Sequence, residues 1–247
     1  MCPIPRTILP NIRANVPNTN KLAFKEKRES MYVFISYQTE DKIVAGKIKN
    51  ILAGAGFTSF MAHEDINVSE EWRIKILEEI GKADLFISLW SKNYNNSWWC
   101  IQESGIASFR TEMTAIPLSI DGSVPQGFAG NIQSTKIDPD NIFLDDLLPG
   151  IIKANFGWGI DLVFNSIAGS RSFRGAEASF KPLIPYVNSL SPEQGKEILE
   201  IAINNDQVHH AGLCASKYLP PIMAKHGHLL SKENQEFLNQ ILERYAT

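Results

Sequence analysis

Between residues 32 and 137, short β-branched and aromatic runs alternate with longer stretches of helical spacing. The runs are Tyr32–Ser36, Phe57–Met61, Asp84–Leu89, Thr114–Ile120 and Thr135–Ile137. Each is bounded by polar or turn residues, as strands are. Between the first two, Ile43, Val44, Ile48, Ile51 and Leu52 recur on one helical face, and Gly54 and Gly56 end the helix. Thr39-Glu40-Asp41 offers that helix an N-cap with acids in its first turn. A second helix starts at residues 70–72 and carries Ile74, Ile76, Leu77 and Ile80. Strand–helix alternation with short loops forces right-handed crossovers, so the expected product is a parallel, doubly wound sheet. Such sheets bind ligands beyond the carboxyl ends of their strands. Ser36, the loop Ala62–Ser69 and the segment Trp90–Ser97 fall at those ends.

The third strand leads into Ser91–Ala107, SKNYNNSWWCIQESGIA. Asn93–Ser97 breaks the chain, and Trp99 and Glu103 follow four residues apart, on one face of the next helix. A carboxylate beside an indole at the mouth of a sheet is a plausible catalytic pair. A tryptophan at helical spacing is more often core, and a single glutamate more often a solvated face. Spacing alone therefore leaves both readings open.

Beyond about Phe156 no strand signal remains. Gly157, Gly159, Gly169, Ser170, Ser172 and Gly175 suggest an irregular junction. Ser191, Pro192 and Gln194 form a capping-box signature before Ile198, Leu199, Ile201 and Ala202. Val208–Leu219 supplies another apolar face, which Pro220-Pro221 is expected to stop. Ser231 caps a last helix carrying Phe237, Leu238, Ile241, Leu242 and Tyr245. The expected organisation is an N-terminal arm over 1–30, an α/β domain over 31–155 and a small all-α domain over 156–247. The arm's prolines (Pro3, Pro5, Pro10, Pro17) and charged run argue for an extended or strap-like segment.

Composition excludes several classes. With 44% hydrophobic and 21% charged residues, the chain is ordinary for a globular protein. A net charge of -3 shows no nucleic-acid footprint. Three cysteines (Cys2, Cys100, Cys214) give no disulfide framework. Prolines and Arg6 interrupt any apolar leader, and no run approaches the ~20 residues of a membrane span. A cytoplasmic protein is expected. His209, His210, Cys214, His226 and His228 lack the spacing of a zinc site, so no metal is expected. Cys100 has no histidine placed beside it and reads as a structural thiol. Gly54 and Gly56 make no phosphate cradle. His63 reads as a loop residue, and Trp72 and Trp98 as packing residues.

Taken together, Tyr32–Tyr37 (YVFISY), Glu64-Asp65-Ile66 before Glu71-Trp72, and Ser91-Lys92-Asn93-Tyr94 leading to Trp98-Trp99-Cys100 resemble the Toll/interleukin-1 receptor (TIR) domain family. The resemblance covers about residues 31–155 and is nearest to bacterial and plant members. It implies a flavodoxin-like parallel five-stranded sheet. In the NAD-cleaving branch the catalytic glutamate lies in a W-x-x-x-E motif, which here is Trp99-Cys100-Ile101-Gln102-Glu103. The resemblance thus assigns catalysis to Glu103 and the lining of the nicotinamide or ribose pocket to Trp99. Ser36, Tyr37, Gln38 and Asp65 become substrate-binding candidates. The family's BB loop matches Ala62–Ser69, with Val68-Ser69 where Pro-Gly often stands; Gln38 stands where some relatives carry a basic residue. NAD+ would be the substrate, with no further cofactor. The implied partners are other copies, through the TIR domain and BB loop, and an activating partner or ligand at the helical domain. The alternative is a non-catalytic TIR scaffold that binds other TIR proteins; Glu103 and Trp99 favour the enzyme.

Overall fold

A computed structural model describes residues 31–61 and 72–246. The arm 1–30, with Cys2, and the loop containing His63 and Asp65 lie outside the described residues. Five parallel strands form one sheet: β1 (Tyr32–Ser36), β2 (Thr58–Met61), β3 (Leu85–Trp90), β4 (Thr114–Ser119) and β5 (Thr135–Lys136). Their order is β2-β1-β3-β4-β5. The strand order reverses beside β1, so the β1/β3 boundary is where a crevice opens at the carboxyl ends. Ser36 pairs with Ser88 there.

The period-2 alternation of strands sorts the two faces. Val33, Ile35, Leu85, Ile87, Ile116 and Leu118 pack with Ala45, Ile48 and Leu52 of α1 (Lys42–Gly54). On the other face Phe34, Phe60 and Phe86 pack with Ile76 and Ile80 of α2 (Trp72–Lys82). Phe34 and Phe86 stack at 5.5 Å between centroids. Two helices follow β3: the short α3 (Lys92–Asn95) and α4 (Trp98–Phe109), each N-capped by a serine side chain, Ser91 and Ser97. Ser36 is two residues beyond Phe34, so it faces the α2 and α4 side.

The helical region begins against this sheet. α5 (Leu148–Ala154) places Ile151 in the sheet core, while Leu148 and Ile152 join the second core. It continues directly into α6 (Phe156–Ala168), capped by Asn155. The irregular junction expected at Gly157 and Gly159 is therefore a helix. Gly159 is there because α5 approaches closely: a Cβ on it would lie 2.6 Å from the Ile152 Cα. Beyond it come α7 (Phe173–Phe180), α8 (Pro192–Asn204), α9 (Asp206–His209), α10 (Leu219–His226) and α11 (Lys232–Glu243). Ser191 and Gln194 make the expected capping box, and Ser231 caps α11. Pro220-Pro221 does not stop the helix as expected: the π-helical turn Cys214–Tyr218 runs directly into α10, and the two prolines lie in the first turn of that α-helical stretch.

The start of α1 also differs from the spacing-based expectation. Thr39–Asp41 forms a separate 3-10 turn, capped by the Gln38 side chain, and the helix proper starts at Lys42. Asp41 does not cap with its carboxylate, because that group accepts a 2.6 Å hydrogen bond from Ser91. That bond ties the loop after β1 to the loop after β3.

Candidate active site

Glu103 sits on the buried flank of α4, only 4% exposed. Its carboxylate Oε2 accepts a hydrogen bond of 2.5 Å from the Ser36 hydroxyl. The two residues are 67 positions apart in sequence and meet because β1 ends beside α4 at the sheet's switch point. Ser36 Oγ also lies 2.8 Å from the Tyr94 hydroxyl. Tyr94 is fully buried against Trp90, with ring centroids 4.5 Å apart. Its hydroxyl is 2.7 Å from Ser104 Oγ and 3.2 Å from the Cys100 carbonyl.

Burial pushes the Glu103 carboxyl up to about 7, against the opposing effect of the Ser36 hydrogen bond. A solvated glutamate titrates near 4.5. Burial, with Glu103 nearby, also holds the Tyr94 hydroxyl well above its ordinary value. The same two effects push the Cys100 thiol up to about 12, so it is a protonated core group and not a nucleophile.

Glu103 opens onto a cavity of about 280 Å3 lined by Trp72, Ile76, Trp99 and Glu103. Trp99 is 50% exposed and Trp72 42% exposed. Trp72 was expected to pack; it instead forms part of the cavity wall, because α2 starts at the open end of the crevice. Trp98 is not a packing residue either. At 82% exposed it faces away from the core, since the 100° step per residue turns neighbours to different sides. Phe109 and Phe128, 87% and 82% exposed, extend the apolar surface of α4.

Among the other candidates, Ser36 lies at Glu103, Tyr37 is buried in the core beneath α1, and Gln38 serves as the cap already described. Asp65 lies outside the described residues. The features that sequence reasoning missed are Tyr94, Ser104 and Trp72 as neighbours of the acid. Ser104 adjoins Glu103 in the helix, but only the position of β1 and α3 reveals the network. Among the described residues, no group of three or more His, Cys, Asp or Glu could hold a metal ion. Nor is any helix among them long and apolar enough to cross a membrane.

Residues 33–147 match the family model described as TIR domain. Among solved structures, the TIR domain of the Toll-related receptor TRR-2 from Hydra magnipapillata is 19% identical, with a TM-score of 0.40. That match covers 53% of this chain and 96% of the Hydra chain. The TIR domains of the activated Roq1 resistosome, which recognises the pathogen effector XopQ, are 20% identical at a TM-score of 0.36, covering 70% and 97% of the two chains. The sheet region of this protein, with Glu103 at its switch point, matches the TIR domain family.

Proposed function

We propose that this protein is an NAD+ nucleosidase that cleaves the nicotinamide–ribose bond, with Glu103 as the catalytic carboxylate. The observation that carries the reading is a buried acid at the end of β1, facing an aromatic cavity. Breaking this bond builds oxocarbenium character on the ribose. Nicotinamide leaves as a neutral ring from a cationic one, so no general acid is needed. One carboxylate suffices, stabilising the developing positive charge and holding the ribose hydroxyls. In a site this dry its attraction for that charge is far larger than in water. Trp99, half exposed in the cavity wall, offers its face to the pyridinium, worth about 0.5–2 kcal/mol. The cavity lies near the lower limit of ligand pockets, about 300–1,000 Å3. It suits the reacting end of a dinucleotide and leaves the adenosine end outside.

With water admitted the products are nicotinamide and ADP-ribose; with water excluded, an adenine nitrogen can attack and give a cyclic ADP-ribose. The chemistry uses the same residues either way. Assembly through the TIR domain activates the enzyme in this reading, and the apolar surface of Trp98, Phe109 and Phe128 supports self-association. The helical region then serves sensing, docking or oligomerisation. By the family resemblance, the cellular role is cytoplasmic anti-phage defence, in which infection triggers NAD+ depletion or a nucleotide signal.

The test is incubation of the full chain with NAD+, with products identified by mass spectrometry at several protein concentrations and under crowding. Nicotinamide should accumulate with wild type and fall at least about 100-fold with Glu103→Ala, since it removes the principal charge stabilisation. Equal turnover by the two proteins overturns the assignment of Glu103. Substrate left intact by an assembled wild-type protein overturns the enzymatic reading and favours a scaffold.

A further inference from the structure

We infer that Tyr94, acting through the Ser36 hydroxyl, is a positioning residue that holds Glu103 facing the cavity in both of its protonation states. The inference deepens the NAD+-cleaving reading and rests on it for its catalytic meaning only. The single proton on each hydroxyl fixes the direction of every bond. A serine hydroxyl has one proton to donate, and Ser36 gives it to Glu103 at 2.5 Å. Ser36 must therefore accept from Tyr94 at 2.8 Å. That uses the single phenolic proton, so Ser104 is the donor to Tyr94 at 2.7 Å. Every donor in the chain Ser104–Tyr94–Ser36 points toward the carboxylate. Such chains polarise one another and strengthen the terminal bond.

When Glu103 is protonated the same atoms serve in reverse. The acid donates to Ser36, Ser36 to Tyr94, and Tyr94 to the Cys100 carbonyl at 3.2 Å. The glutamate can change charge without breaking contact or leaving its rotamer. Solvent does not compete, because Ser36, Tyr94 and Ser104 are buried. Trp90 fixes the Tyr94 ring from the other side and is itself anchored by a 2.9 Å bond to Ser88 Oγ. Among the described residues, the titratable groups facing Glu103 are Tyr94 from α3 and Cys100 from its own helix, both shifted so that they stay neutral. From β1 it meets the Ser36 hydroxyl, and from α2 Trp72 and Ile76 share its cavity. No neighbouring charge among these groups does what the hydroxyl chain does.

The experiment follows the titration of Glu103 in the full chain by 13C-glutamate NMR, with Glu103→Gln identifying its resonance. Ser36→Ala removes the donor and should raise the midpoint by about one pH unit, a tenfold change in the protonation constant. Tyr94→Phe keeps the ring and removes only the hydroxyl; its midpoint should rise by roughly half a unit. Ser36→Thr keeps a hydroxyl and should restore the wild-type midpoint. The pH profile of kcat should move with the midpoint while KM stays within about twofold. A folded Tyr94→Phe protein with a midpoint within about 0.2 unit of wild type overturns the inference, whatever Ser36→Ala does. If Tyr94→Phe does not fold, Ser104→Ala, which removes the donor that reaches Glu103 only through Tyr94, decides by the same criterion. Shifted midpoints in a protein that never turns over NAD+ uphold the hydroxyl chain and overturn the enzymatic reading, so the two fail separately.

Discussion

Replacing Glu103 by glutamine should abolish activity and stabilise the fold. Glutamine keeps the side chain's shape and an oxygen to accept the Ser36 bond, but carries no charge into the buried site. The folded chain holds the Glu103 proton up to about pH 7, against a reference value of 4.5. Below pH 4.5 the acid is neutral folded or unfolded, and its contribution to stability is whole. Between 4.5 and about 7 the unfolded chain releases its proton first, so stability falls as pH rises. Each unit of that window is worth about 1.36 kcal/mol, or about 3 kcal/mol in all. Above pH 7 the loss is complete and constant. Glu103→Gln escapes it and should unfold about 6–12 °C higher than wild type at pH 8.5, by the usual scaling for a chain of this size. The two should differ little at pH 4. Thermal unfolding followed by calorimetry across that range is the measurement. A variant that is less stable at pH 8.5, or a difference that does not change with pH, would refute the claim that Glu103 is buried at an energetic cost. The result would also identify a stability–function trade-off, in which the site keeps an acid that weakens the fold.

Trp99→Ala should raise KM for NAD+ by about 2- to 30-fold in steady-state kinetics, the loss expected of one cation–π contact, with Trp99→Phe in between. An unchanged KM would remove Trp99 from the binding wall. Gly159→Ala should lower stability by about 1–3 kcal/mol in urea unfolding, because the new methyl meets the Ile152 backbone where α5 and α6 touch. Gly157→Ala meets only the Asn155 side chain, at 3.7 Å, and should cost less than Gly159→Ala. Equal effects would mean that the two helices are not closely packed at Gly159.

The strands and helices of the parallel sheet were legible in the sequence because their determinants are local. A strand such as Tyr32–Ser36 and a helix such as Lys42–Gly54 declare themselves through hydrophobic period and end signals. The pairing of Trp99 with Glu103 was legible for the same reason, since helical geometry converts a spacing of four into a shared face. Proline and glycine were harder, because their local meaning is ambiguous. Pro220-Pro221 can stop one helix or start the next, and Gly159 can loosen a chain or admit a neighbour. In both cases only the surrounding helices decided.

Which of two adjacent tryptophans faces a cavity, and how far an acid's affinity for protons moves, were decided by tertiary structure alone. Glu103 and Ser36 are 67 residues apart, and Ser36 and Tyr94 are 58 apart. No local pattern encodes distances of that kind. They follow from strand order, which sets β1 beside β3 and turns the odd side of β1 away from the helix that carries the acid. The sequence by itself determined that a carboxylate and an indole would share a helix face. The fold determined that the carboxylate would be dry, held by hydroxyls and close to neutral pH in its titration, because desolvation depends on everything packed around a group and not on its neighbours in the chain.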